Sequence, residues 1–162
     1  MKKAKRKGWI ACALGVLLIA AGLTKTPALS AMGRVQAGVR VPILMYHSVL
    51  KNPKMAGMYV VSPDTLEQDL KYIKKKGYTT VFVRELTEYV YQNAPLPEKP
   101  VVITLDDGYL NNLTYVLPLL EKYDMKATIS VVGRYTEQAT EDGAEKPSYS
   151  YLTIEEVQKL AE

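Results

Sequence analysis

Val101-Val102-Ile103-Thr104-Leu105-Asp106-Asp107-Gly108 is the stretch on which the fold of this chain turns. A short apolar run without alternation is the pattern of a strand covered on both faces in a parallel sheet. The polar residues after it then lie at the strand's carboxyl end, where parallel α/β folds collect their functional groups. Adjacent side chains of a strand point to opposite faces, so Asp106 and Asp107 reach one place only if the backbone turns. Gly108 supplies the conformational freedom for that turn. Two carboxylates side by side without a counter-charge either share a proton or hold a cation. The economical arrangement is one aspartate ligating a divalent metal while the other takes a proton from metal-bound water. The structural alternative is an Asp-Gly loop that caps the helix starting near Asn111 or Asn112.

Working outward, short apolar runs alternate with segments of helical period. Residues 41–46 predict a first parallel strand covered on both faces. Ser62 caps a helix with Pro63 at its first position, the stripe Leu66, Leu70 and Ile73, and a cationic end at Lys74, Lys75 and Lys76 before Gly77. Residues 79–83 predict a second strand. Leu86, Tyr89 and Val90 mark the buried face of a helix that ends before Pro95, Pro97 and Pro100. A helix through Leu113, Val116, Leu117 and Leu120 is expected to bend at Pro118. A strand over residues 127–132 and a polar loop over 133–152 follow. Thr153 with Glu156 forms a capping box for a helix whose apolar face is Ile154, Val157 and Leu160. Strand and helix in strict alternation imply an α/β fold with a parallel sheet, open or closed into a barrel.

The 162 residues, 48% apolar and 23% charged, describe a foldable globular chain and exclude disorder. The formal charge of +4 suggests nucleic acid until it is located. Residues 1–31 hold six basic groups and no acid, so of 21 basic and 17 acidic residues the remainder keeps 15 against 17, or −2. No nucleic-acid partner is expected. Five positive charges in residues 1–7, an uncharged run over 9–23 and small residues at Ala28, Ser30 and Ala31 form the layout of a secretory signal or an N-terminal anchor. The expected organisation is a leader over 1–31 and a body over 32–162, at the cell surface or outside the cell, with any membrane contact made through the leader. The only cysteine, Cys12, lies in that leader, which excludes a disulfide or thiolate metal site in the body.

Two further residues are candidates for binding substrate. His47, the only histidine, closes the first strand at the same rim as Asp106; a lone histidine there is either a hydrogen-bonded structural residue or a participant in the site. Twelve tyrosines against one phenylalanine is an unusual ratio, and tyrosine stacks on sugar rings while its hydroxyl stays hydrated. Tyr109, beside the aspartate pair, is the tyrosine singled out. Half-buried helix positions account for most of the others.

Thr104 to Tyr109, followed by Lys126-Ala127-Thr128 and Val131-Val132-Gly133, resembles the first part of the polysaccharide deacetylases of carbohydrate esterase family 4, which carry the chitooligosaccharide deacetylase (NodB-like) homology domain. The stretch 41–49 is similar to the branch acting on exported poly-N-acetylglucosamine and related cell-wall glycans. The resemblance covers roughly residues 41–162, and its T-F-D-D-G motif is matched with Leu105 in place of Phe. It implies an irregular (β/α) barrel and a hydrolase removing N-acetyl groups from a polysaccharide. It also implies Asp106 as general base, Asp107 as metal ligand, and a divalent ion, zinc first and cobalt or manganese as alternatives. The family's H-x-x-x-H ligand pair, its arginine motif and its general-acid histidine lie beyond the helix that opens at Thr153. The expectation is therefore an N-terminal portion of the domain, incomplete at its C-terminus and weakly active or inactive alone. The alternative is a non-catalytic exported glycan-binding protein derived from the same fold.

Overall fold

The computed structural model describes residues 38–143 and 150–161. The expected leader over 1–31, with Cys12 and the boundary after it, lies outside the described residues. Among the described residues no helix is long and apolar enough to cross a membrane.

The central strand is the one anticipated. β1 (Ile43–Tyr46), β4 (Thr79–Val81), β5 (Pro100–Leu105) and β6 (Thr128–Ile129) form one parallel sheet, with β5 between β1 and β4 and with β6 paired to the end of β5. β2 (Ser48–Val49) and β3 (Val60–Val61) pair separately as a small parallel ribbon. Val101, Val102, Ile103 and Leu105 are each at most 2% exposed, so β5 is buried on both faces. β1 departs from expectation. It alternates, with Ile43 and Met45 58% and 59% exposed and Leu44 and Tyr46 half-buried. It is an edge strand of the described sheet, and only one of its faces meets the helical layer.

That layer starts with α1 (Pro63–Lys75). Ser62 Oγ accepts the Thr65 amide at 3.0 Å, and Pro63 occupies the first turn, where a missing N–H costs nothing. Leu66, Leu70 and Ile73 lie on one helical face and pack on Val101, Ile103 and Leu105, a burial worth roughly 1.5–3 kcal/mol per side chain. α2 (Val83–Gln92) begins earlier than the strand reading of 79–83 allowed, because the Glu85 carboxylate accepts the Phe82 amide at 2.7 Å and turns the chain there. Its apolar face is shallow: Leu86 and Tyr89 are half-buried and Val90 is 60% exposed.

The helix expected to bend at Pro118 changes its winding one turn earlier. Residues Asn112–Val116 form a π turn in which the Leu117 amide bonds the Asn112 carbonyl, and α3 (Leu117–Tyr123) then restarts with Pro118 in its first turn. The proline's missing donor is thus placed where no intrahelical bond is due. β6 is shorter than the expected 127–132. Ser130 N–H still reaches the Leu105 carbonyl at 2.9 Å, but β5 turns away at Asp106, leaving residues beyond it no ladder to join.

The expected polar loop over 133–152 contains a helix, α4 (Gly133–Asp142). Its side chains are polar and only Thr136 is buried, so no apolar stripe announces it. The Thr153 capping box is present in full: Glu156 Oε2 accepts the Thr153 amide at 2.8 Å, and Thr153 Oγ1 accepts the Glu156 amide at 3.2 Å, opening α5 (Ile154–Ala161).

Candidate active site

Three pieces of backbone meet at the carboxyl end of the sheet. Tyr46 stands opposite Leu105 in the β1–β5 register, and its carbonyl accepts the Asp106 amide at 2.9 Å. Pairing therefore runs one residue past the strand, and His47 and Asp106 leave neighbouring strands side by side. Next, Asp107 (φ 72°) and Gly108 (φ 69°) both take left-handed conformations. Gly108 was expected to permit a turn. Asp107 shares it, a position tolerated by aspartate more readily than by most residues. Two successive left-handed residues swing Asp107 out of the strand's alternation.

The turn is held by its surroundings. A Cβ on Gly108 would stand 2.9 Å from Val131 Cγ1 and 3.2 Å from Val131 Cα, so only glycine fits. The Gly108 carbonyl accepts the Leu152 amide at 2.8 Å, and the Leu110 amide donates to the Ser150 carbonyl at 2.8 Å, flanking an antiparallel bridge between Tyr109 and Tyr151. Asn111 is fully buried; its Oδ1 accepts the Val49 amide and its Nδ2 donates to Ser48 Oγ, both at 2.9 Å. This carboxamide ties the segment after His47 to the segment after Asp107.

The loop-cap alternative predicts that the aspartates are occupied by backbone amides. Among the described residues, no hydrogen bond or ion pair engages the half-buried Asp106 carboxylate. Among them, none engages the Asp107 carboxylate either, whose charge acts on the nearby Tyr109 hydroxyl. Burial, then the neighbouring Tyr151 and Asp107, pushes the Tyr109 hydroxyl up to about 12. His47 is half-buried, with its ring 4.8 Å from that of Tyr59 and tilted by 53°. Below the rim, Tyr46 donates to Asp69 Oδ2 at 2.9 Å, and burial followed by that carboxylate raises its pKa.

Tyr109 is not a solitary ring. It stacks on Tyr151 at 5.2 Å between centroids, and Tyr151 stacks on Tyr135 at 4.5 Å. Sequence reading missed Tyr135 and Tyr151, which the unanticipated α4 and the 150–152 bridge bring to the rim. It also missed the role of Asn111, for which no periodic signal exists.

A metal does not fit these residues as a closed site. Among the described residues no group of three or more His, Cys, Asp and Glu is placed to hold an ion, and a catalytic zinc takes three protein ligands. Asp107 offers one carboxylate, and His47 at the same rim offers one imidazole.

Residues 93–159, which contain the rim from Asp106 to Leu152, match the family described as polysaccharide deacetylase. Over these residues the chain is similar to the polysaccharide deacetylase family. The chain is 32% identical over 129 residues to the Bacillus subtilis protein YxkH, named for a polysaccharide deacetylase, with 78% of this chain and 45% of that protein covered. It is 29% identical over 94 residues to the Escherichia coli poly-beta-1,6-N-acetyl-D-glucosamine N-deacetylase, covering 58% of this chain and 14% of that one. Its fold is similar to the Streptococcus pyogenes deacetylase PplD, solved in complex with acetate, with a TM-score of 0.62 and 30% identity over 76% of this chain and 52% of that one. The chain spans about half the length of the Bacillus relative and of the Streptococcus structure. These likenesses fit the α/β class and parallel sheet read from the sequence.

Proposed function

We propose that this chain is the first portion of an exported, metal-dependent hydrolase that removes N-acetyl groups from an N-acetylglucosamine-containing cell-surface polysaccharide. The observation that carries the reading is the Asp106 carboxylate at the end of β5, unpartnered among the described residues, beside the left-handed Asp107. Adjacent carboxylates with different surroundings take different roles. Asp106, without an internal partner among the described residues, is positioned to accept a proton from water as it attacks the acetamide carbonyl. The C–N bond then breaks, the departing amine takes up the proton that Asp106 accepted, and acetate leaves while the sugar stays in the glycan as a glucosamine unit with a free amine. Asp107 is the carboxylate for the metal, and His47 and Tyr109 face the substrate. Names among the relatives support the glycan, in particular the Escherichia coli N-deacetylase.

The described strands form an open sheet, and we infer that they belong to an irregular (β/α) barrel whose remaining strands are not among them. With fewer than three ligands, the chain alone is expected to retain metal weakly and to release acetate at or near background. That shortage also favours a second reading, a non-catalytic glycan-binding protein.

A fusion separates the two readings: this chain joined to the portion of the Bacillus subtilis relative that it does not cover. Chelator-sensitive acetate release from N-acetylglucosamine oligomers, lost with Asp106→Asn, supports the deacetylase. A correctly folded fusion that binds oligomers and releases nothing supports the second reading. Reading the nucleotide sequence past the Glu162 codon for an H-x-x-x-H segment, in frame or after one frameshift, is an independent check.

A further inference from the structure

The feature that the proposed chemistry leaves unused is the run of three near-parallel rings, Tyr109, Tyr151 and Tyr135, with interplanar angles of 19° and 25°. Three observations set it apart from ordinary core packing. It starts at Tyr109, which directly follows the Asp106-Asp107-Gly108 turn. Its inner rings are fixed: Tyr109 and Tyr151 form a backbone bridge, flanked by the 2.8 Å bonds at Gly108 and Leu110. Its outer ring is not covered, since Tyr135, in the first turn of α4, is 40% exposed. Val131 and Val132, just before α4 in the chain, are 40% and 37% exposed, adding apolar surface at that end of the helix.

A rigid stack ending in a half-open tyrosine is suited to a ligand with one apolar face and hydrated edges. A pyranose ring has that form: axial C–H bonds lie against the aromatic face while equatorial hydroxyls stay in water. A tyrosine loses little side-chain freedom when it is already stacked, so the ordering cost of binding is small. We propose that the Tyr109–Tyr151–Tyr135 stack is a sugar-binding platform, with Tyr135 as its contact ring, that seats one unit of a glycan chain and so holds a neighbouring unit over Asp106. It rests on the glycan reading of the site, and it moves the substrate contact from Tyr109, whose ring is engaged by Tyr151, outward to Tyr135.

The test is binding, measured on the full chain with N-acetylglucosamine pentamer by saturation-transfer NMR and calorimetry. Tyr135→Ala is expected to weaken binding about 3- to 10-fold, the range of one aromatic stacking contact, with Tyr135→Phe close to the parent. Tyr91→Ala, at an exposed tyrosine on α2, is the control for loss of a surface ring and should bind as the parent does. Transfer to tyrosine ring protons should be seen in the parent and lost in Tyr135→Ala. Equal affinity of the parent and Tyr135→Ala, or no binding by the parent at millimolar pentamer, overturns the platform. Failure of the hydrolase reading looks different: binding that depends on Tyr135, together with no acetate release from the fusion described above.

Discussion

Gly108→Ala joins the fold to the site and can be predicted with a built-in control. Gly108 and Gly77 have nearly the same backbone, φ 69° and φ 73°. Placing alanine in a left-handed conformation costs about 1–2 kcal/mol, offset by about 0.4–1 kcal/mol because alanine restricts the unfolded chain. Gly77 has nothing within 4 Å of an added Cβ, so Gly77→Ala should cost this backbone term alone, about 1 kcal/mol. At Gly108 the new methyl would meet Val131 Cγ1 at 2.9 Å and the Val131 backbone at 3.2 Å. Overpacking of that kind adds about 1–3 kcal/mol, for a total of about 2–4 kcal/mol. Urea unfolding of the three proteins, followed by circular dichroism, gives the comparison. Equal losses for Gly77→Ala and Gly108→Ala would refute the claim that Val131 locks the turn. A second signature follows: resonances of Asp107, Tyr109 and Leu152 should move in Gly108→Ala and stay in place in Gly77→Ala.

The neighbouring asparagines should behave in opposite ways. Asn111→Ala removes two buried hydrogen bonds and strands the Val49 amide, costing about 2–4 kcal/mol. Among the described residues both side-chain polar atoms of Asn112 are buried without a partner, so Asn112→Leu should stabilise the protein by about 1–3 kcal/mol in the same unfolding assay; a loss would mean that the amide is satisfied. Leu105 and Asn112 line a cavity of about 150 Å³, so Leu105→Phe, which restores the family motif, should fall within about 1 kcal/mol of the parent instead of carrying an overpacking cost. Tyr46 and Tyr109 have pKa values raised in the folded state, Tyr109 to about 12. Their contribution is complete below the unfolded tyrosine value near 10 and is lost as pH rises through the folded values. Stability measured from pH 9 to 12 should therefore fall less steeply in Tyr46→Phe and Tyr109→Phe, and unchanged slopes would contradict the assignment.

What could be read from the sequence was set by local rules, and what could not was set by distant contacts. β5 was legible because an unbroken apolar run has few other uses, and α1 because Ser62, Pro63, the Leu66-Leu70-Ile73 stripe and the lysine end all agree. The position of Asp106 and Asp107 followed from strand geometry alone. α4 was hidden because Gly133–Asp142 buries only Thr136 and so lacks a stripe. The exposure of Ile43 and Met45 was hidden because it depends on what lies across the sheet. Neither the link from Asn111 to Ser48 and Val49, more than sixty residues away, nor the stacking of Tyr135 on Tyr151 has any signature in spacing.

The division of labour between the two aspartates is the claim on which the functional account stands. Carboxylate-detected NMR of the full chain during a zinc titration measures it directly. Weak, fast-exchange shifts at the Asp107 carboxylate and the His47 ring, with a much smaller change at Asp106 and loss of the effect in Asp107→Asn, are the predicted result. Shifts centred elsewhere, or an Asp107 carboxylate that does not respond to the ion at all, would contradict it.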